Sequence, residues 1–152
     1  MPPMLKYAWD EFVFPMFRRP RRAQVAALCY RGNGDEKEVL LITSRGTGRW
    51  ILPKGWLMED RPASEAAAQE AWEEAGVTKG NLNETPVGAF SYDKELEDGA
   101  IAPCEATVFQ LKVKELTDDF PEANERNRTW VRPDEAVKMV NEPGLKKLLR
   151  NF

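Results

Sequence analysis

Histidine is absent from the 152 residues, and its absence removes a block of chemistry at once. No imidazole can act as general base, no Ser–His or Cys–His nucleophile pair can form, and ordinary histidine-bearing zinc sites are excluded. Cysteine is scarce. Cys29 lies in an apolar, strand-like run and Cys104 follows a proline, so the two form no zinc or redox spacing and read as free thiols of a reducing cytoplasm. Long apolar runs are missing too: none approaches the ~20 residues of a membrane helix, and Lys6, Asp10 and Glu11 interrupt any signal-peptide core in the opening stretch. Nor does one sign of charge dominate, and a net charge of -3 points away from nucleic acid or an anionic membrane as partner. The expectation is a soluble cytoplasmic protein, monomer or homodimer, whose chemistry rests on carboxylates and hard cations.

What is present centres on Trp50 to Val77. A short apolar run, Trp50 to Leu52, reaches a Pro-Lys-Gly corner; a polar loop follows, and a Glu-rich helix ends on Gly76. Glu70, Glu73 and Glu74 are spaced i, i+3 and i+4 and so share a helix face. Carboxylates that close either hold raised pKa values, bind a hard metal ion, or form a solvated acidic face. Ala68, Ala71 and Ala75 are expected on the opposite face, packed on a sheet.

Around this stretch the chain reads as one domain, 1–152, with an N-terminal extension over 1–21. The aromatic residues Trp9, Phe12, Phe14 and Phe17 are expected to pack on the domain or on a second subunit. Arg18, Arg19, Arg21 and Arg22 are either a solvated basic turn or a phosphate-contacting rim. Gln24 to Tyr30 and Glu38 to Ser44 are apolar on both alternate faces, as central strands covered on both sides are. Thr43 to Trp50 is a Gly-containing loop whose hydroxyls, Ser44 included, and guanidiniums can meet phosphate. Asn81 to Ser91 reads as loop and short strand, Tyr92 to Pro103 as a mobile loop at the rim of the site, and Thr107 to Leu116 as a half-buried strand. An acidic connection, Asp118 to Glu125, precedes a strand from Arg126 to Val131. Pro133 opens a helix with Asp134 and Glu135 in its first turn, and Leu145 to Leu149 adds a final turn or two. The order gives an α/β/α sandwich with a mixed β-sheet.

The stretch resembles the Nudix hydrolase box, G-x5-E-x7-R-E-U-x-E-E-x-G-U with U a bulky apolar residue. Gly55, Glu70, Glu73, Glu74, Gly76 and Val77 fall in register; Arg61 stands where the first Glu belongs, Gln69 replaces the Arg, and Ala71 is small for its position. The resemblance implies metal-dependent hydrolysis of a diphosphate linkage by a metal-activated water. Magnesium or manganese would be held by Glu70, Glu73, Glu74 and the carbonyl of Gly55, with Glu73 as the base or its relay. It also implies that an Arg restored at position 69 leaves activity similar or raises it. A further acidic group outside the box would be Glu105, Glu95 or Glu97.

Flanking segments are similar to the diphosphoinositol polyphosphate and diadenosine polyphosphate branch of that family. They include Val39 to Arg45, Arg49 to Pro53 and Arg126-x-Arg128-x-Trp130. The branch implies a basic rim on a polyphosphorylated small-molecule substrate, here Arg45, Arg126 and Arg128, with Arg22 and Ser44 near its start. Lys54 either adds a phosphate contact or covers the corner, and Trp56 either stacks on a base or tucks on the surface. Rival readings are a non-catalytic nucleotide- or protein-binding module and a hydrolase of ADP-ribose or nucleoside triphosphates.

Overall fold

The computed structural model describes residues 21–152. The aromatic stretch within residues 1–17, and Arg18 and Arg19, lie outside them. The strands are β1 (Arg22–Arg31), β2 (Glu38–Thr43), β3 (Trp50–Ile51), β4 (Lys54–Trp56), β5 (Val77–Leu82), β6 (Gly88–Glu95), β7 (Ile101–Leu116) and β8 (Arg128–Val131). The helices are α1 (Ala63–Ala75), α2 (Pro133–Met139) and α3 (Pro143–Arg150).

β1 is the axis of the sheet. It runs parallel to β7 on one side, while the other side is shared antiparallel by β2 at its C-terminal end and β4 at its N-terminal end. β3 and β8 extend the sheet from β2, and β5 and β6 both pair with β7. All of these pairings except β1 with β7 are antiparallel, so the sheet is mixed.

Alternation along β1 explains the layers. Val25, Ala27 and Cys29 face a core that includes Leu40 and Ile42 and is closed by Ala66, Ala67, Ala71 and Ala75 of α1. Ala26 and Leu28 face a second core with Val39, Leu41 and Val108, closed by α2 and α3 through Ala136, Val140, Leu145 and Leu149. A central strand apolar on both faces is what such a sandwich requires. Each fully buried Leu or Ile in it contributes about 1.5–3 kcal/mol of transfer free energy.

Two expectations need correction, and one strand was not foreseen. The Tyr92 to Pro103 stretch is not a mobile loop: Gly88–Glu95 and the start of β7 form a hairpin, closed by Leu96 donating to the Ala100 carbonyl at 2.8 Å. Polarity misled there, because Phe90 and Tyr92 pack inward while Asp93 and Glu95 belong to the other, exposed face of the strand. Val77–Leu82 is a strand although it lacks apolar alternation, being a mostly exposed partner of β7. On α1 the packed alanines are Ala66, Ala67, Ala71 and Ala75, whereas Ala68 is only half-buried. That rotation turns Glu74 inward. Among the described residues, no helix is long and apolar enough to cross a membrane.

Candidate active site

α1 is delivered to the sheet by β4 and stopped by Gly76. Gly76 adopts φ 74°, and its N–H returns to the carbonyls of Ala71 and Trp72. Any side chain at 76 would also collide with the Thr117 carbonyl and the Phe120 ring. At the other approach, β4 alternates so that Gly55 faces α1. A β-carbon at 55 would overlap the carboxylate of Glu70, so glycine is what lets the strand and that carboxylate meet.

Glu70 and Glu74 face each other closely enough for a carboxyl–carboxylate hydrogen bond. Burial, before any other cause, holds both carboxyls above the ordinary value, and on Glu74 the Glu70 hydrogen bond adds to the rise while Arg126 opposes it. Both carboxyls therefore favour the protonated form more than a free glutamate does. Glu74 is bound by Arg126 at 3.2 Å, with side-chain exposures of 5% and 6%. Glu73 is turned the other way, its Oε1 accepting from Gln69 Nε2 at 2.9 Å. The three glutamates share a face, but among the described residues no three acidic or thiol groups converge on one point as a metal-ion cluster.

The arginines expected on the rim divide into two kinds. Arg126 lies inside, donating to the Thr43 carbonyl at 3.0 Å and to Glu122 at 2.9 Å as well as reaching Glu74, while its Nε is buried without a partner. Arg128 donates to the carbonyls of Ala75 and Thr117, both at 2.9 Å, and to Asp118 at 2.6 Å. A cation on the last-turn carbonyl of α1 suits the negative end of the helix dipole. Both arginines thus grip the C-terminal end of the box helix, Arg128 from β8 and Arg126 from the residues just before it. Arg45, by contrast, is 62% exposed, with only distant partners in Glu122 at 3.5 Å and Glu125 at 3.6 Å. Arg22 is also exposed.

Ser44 shapes its own loop: its hydroxyl accepts from Arg49 N at 2.9 Å and pairs with Thr47 Oγ1 at 2.6 Å. Lys54 points to the opposite sheet face from Gly55, its Nζ 4.9 Å from the Tyr92 ring centre. Burial pushes its ammonium down to about 8, against the pull of Glu142 and Glu74. Trp56 is exposed beside Lys94, which lies 6.0 Å from the ring centre.

The acidic groups expected to assist from outside the box, Glu95, Glu97 and Glu105, are all exposed. Glu122 was not foreseen. Its backbone N–H donates to the Glu73 carbonyl at 3.0 Å, and its charge raises the carboxyls of both Glu70 and Glu74. The Glu122-to-Arg126 spacing was the available signal, muted because the segment is a run of turns rather than a helix. A concavity of about 480 Å³ opens between α1 and β5, lined by Ala68, Gln69, Trp72 and Leu82 but by none of the three glutamates.

Residues 20–152 match the NUDIX domain family. The chain is 36% identical over 118 residues to Nudix hydrolase 12, mitochondrial, of Arabidopsis thaliana, covering 76% of this chain and 58% of that protein. It is 31% identical over 121 residues to the Mus musculus diphosphoinositol polyphosphate phosphohydrolase 3-alpha, covering 78% of this chain and 69% of that one. In fold it is similar to the crystal structure of a C. elegans Ap4A hydrolase, with a TM-score of 0.65 at 22% identity, over 88% of this chain and 96% of the other.

Proposed function

The chain belongs to the Nudix family, and from that premise we propose that it is a pyrophosphohydrolase, splitting a diphosphate linkage in a phosphorylated small molecule with the help of magnesium or manganese. The observation that supports this most is the Glu70–Glu74 pair, two neighbouring carboxyls of which Glu70 is held against a strand position with no room for a side chain. Crowded, largely buried oxygen donors fit a hard divalent cation. Glu70, Glu73, Glu74 and the carbonyl of Gly55 are the proposed holders. Bound there, the cation would neutralise diphosphate oxygens and lower the pKa of a water.

The chain's own residues take the remaining roles. Arg126 fixes Glu74 in place. Glu73, exposed enough to meet substrate and held by a neutral amide, is the proposed base or relay, since no imidazole exists to do it. Arg22, Ser44, Arg45 and Lys54 are the proposed phosphate contacts, and Arg126 and Arg128 serve by holding the helix that carries the glutamates. The proposed substrate class is a diadenosine polyphosphate or diphosphoinositol polyphosphate, supported by the name of the mouse relative and by the exposed guanidinium of Arg45. The chain spans 58% of the length of the first plant relative. The cytoplasm is the proposed setting, supported by two buried free thiols.

The test is a hydrolysis screen with magnesium and with manganese across diadenosine polyphosphates, inositol pyrophosphates, ADP-ribose and nucleoside triphosphates. Metal-dependent turnover, fastest on the long-phosphate substrates, is expected. Nucleotide binding without turnover on any substrate would replace this reading with that of a binding module.

A further inference from the structure

Two residues that break the box pattern touch each other. Arg61 lies in the polar loop before α1 and Gln69 on the helix. Arg61 Nη1 donates to Gln69 Oε1 at 3.2 Å, and Gln69 Nε2 donates to Glu73 Oε1 at 2.9 Å. Asp60 accepts from the remainder of the guanidinium at 3.4 and 3.5 Å. The result is a chain of contacts from Asp60 through Arg61 and Gln69 to Glu73.

We propose that Arg61 and Gln69 form one positioning unit that orients Glu73, so that the two departures are a matched pair. The inference rests on the metal-site reading above. A glutamine beside a carboxylate can present either its N–H2, which binds, or its oxygen, which repels, and the two orientations have nearly the same shape. Arg61 removes the choice. A guanidinium only donates, so it takes the oxygen of Gln69 and leaves the N–H2 facing Glu73. The bond to the cation also polarises the amide and strengthens its donation at the other end. Glu73 meanwhile gains a fixed rotamer without a positive charge in direct contact, and its second oxygen stays available. At this end of the box the positive charge stands one residue further from the carboxylate than at the Arg126 end.

The consequence reverses what the resemblance alone implies for position 69. An arginine there would face Arg61, and two donor-only cations cannot bond, so Gln69→Arg by itself breaks the unit. Arg61→Glu by itself draws the amide N–H2 toward position 61 and turns its oxygen on Glu73. Combining Arg61→Glu with Gln69→Arg restores a bonded pair of reversed polarity, with a guanidinium now on Glu73.

The experiment measures manganese affinity by calorimetry on the wild type, the two single variants and the double variant, with melting in EDTA as the check that each folds. Outer contacts that orient ligands are typically worth about tenfold to a hundredfold in metal affinity. Each single variant is therefore expected to bind manganese about tenfold or more weakly, and the double variant to return to within about threefold of wild type. Because both side chains are partly exposed, EDTA melting should differ little among the four; Arg61→Met gives a neutral truncation, expected to weaken binding, should the Glu variant melt early. Wild-type binding with both single variants unaffected would overturn the positioning unit and leave the metal site standing. A double variant as weak as the two single losses combined would overturn it as well, since uncoupled residues behave additively. A wild type that binds no manganese would overturn the site reading, and this inference with it.

Discussion

Glu73 and Glu74 are neighbours in sequence, yet they are held in opposite ways. Glu74 is turned inward against a guanidinium that is itself 6% exposed. Glu73 is half-buried and answers to a neutral amide, which in turn answers to a cation in a surface loop. One glutamate is an anchor whose position is set when the core forms, and the other is an arm whose position is set by side chains that can turn. A site that must hold a cation and also move a proton gains from that division, because the first task needs fixed geometry and the second needs access to water and substrate.

The anchor is where a substitution should cost most. Arg126→Ala removes the partner of Glu74, leaves Glu122 and the Thr43 carbonyl without their donor, and opens a void at the end of α1. Breaking a buried charge network from one side costs about 3–5 kcal/mol, or roughly 10 °C of melting temperature in a domain of this size. Thermal and urea unfolding check it; a loss under about 1 kcal/mol would mean that Arg126 is not the structural pin described above.

Neutralising each glutamate separates stability from chemistry. Glu73→Gln and Glu74→Gln are each expected to lower turnover about a hundredfold, with the fold intact in both. Glu74 also carries a pH signature. Glu74 holds its proton above the ordinary 4.5, through burial first and the Glu70 hydrogen bond second. Between 4.5 and the raised value the folded state therefore binds more protons than the unfolded one, and the sign of linkage is fixed: the contribution is fully present below about 4.5 and is lost as pH rises from there. Urea midpoints in EDTA should fall as pH increases through neutrality. Glu74→Gln or added manganese should flatten the decline. An equally steep decline in Glu74→Gln would sink the assignment of the raised carboxyl to Glu74.

Gly55→Ala tests the strand side of the anchor. The new β-carbon meets the end of a flexible side chain, Glu70, rather than backbone. Stability should drop by no more than about 1 kcal/mol, within the ordinary range for single substitutions. The displaced carboxylate should nevertheless weaken manganese binding about tenfold, the usual scale for disturbing ligand orientation. Unchanged affinity would show that Glu70 does not need its place beside β4.

The division between anchor and arm also marks what the sequence can disclose. The box helix was legible because glutamates at i, i+3 and i+4 and a terminal Gly76 state both a period and a stop. The two central strands were legible because they are apolar on both faces. Val77–Leu82 was not, since an exposed strand carries no alternation and is defined by its partner β7. Arg126 and Arg128 were visible as charge but not as direction: side chains two apart, at and just before the start of β8, turn into the fold because a helix carbonyl and a buried glutamate await them there. The Arg61–Gln69 contact is hidden for a related reason. It bridges a loop and a helix, and no local period joins those positions.

The smallest expected effect on stability lies outside both groups, and it bears most directly on substrate. Arg45 is largely exposed, and its carboxylate partners are at 3.5 and 3.6 Å, so Arg45→Ala should cost no more than about 0.5 kcal/mol of folding free energy. If the exposed guanidinium meets phosphate, its loss should appear in binding instead. A charge-assisted bond is worth about 1.5–3 kcal/mol, hence about tenfold to a hundredfold in affinity. The KM for a diadenosine polyphosphate or an inositol pyrophosphate should rise on that scale, and the KM for ADP-ribose, with its two phosphates, should rise far less. Because the contact is made equally in ground and transition states, kcat should change less than KM. The informative control is Arg128→Ala, whose N–H groups are engaged by Ala75, Thr117 and Asp118. It should lower the melting temperature and leave the ratio of the two KM values unaltered. Should Arg45→Ala weaken both substrates alike while Arg128→Ala discriminates between them, the assignment of inner and outer arginines would have to be exchanged, and the phosphate-contacting edge moved from the Ser44–Arg49 loop to the return strand.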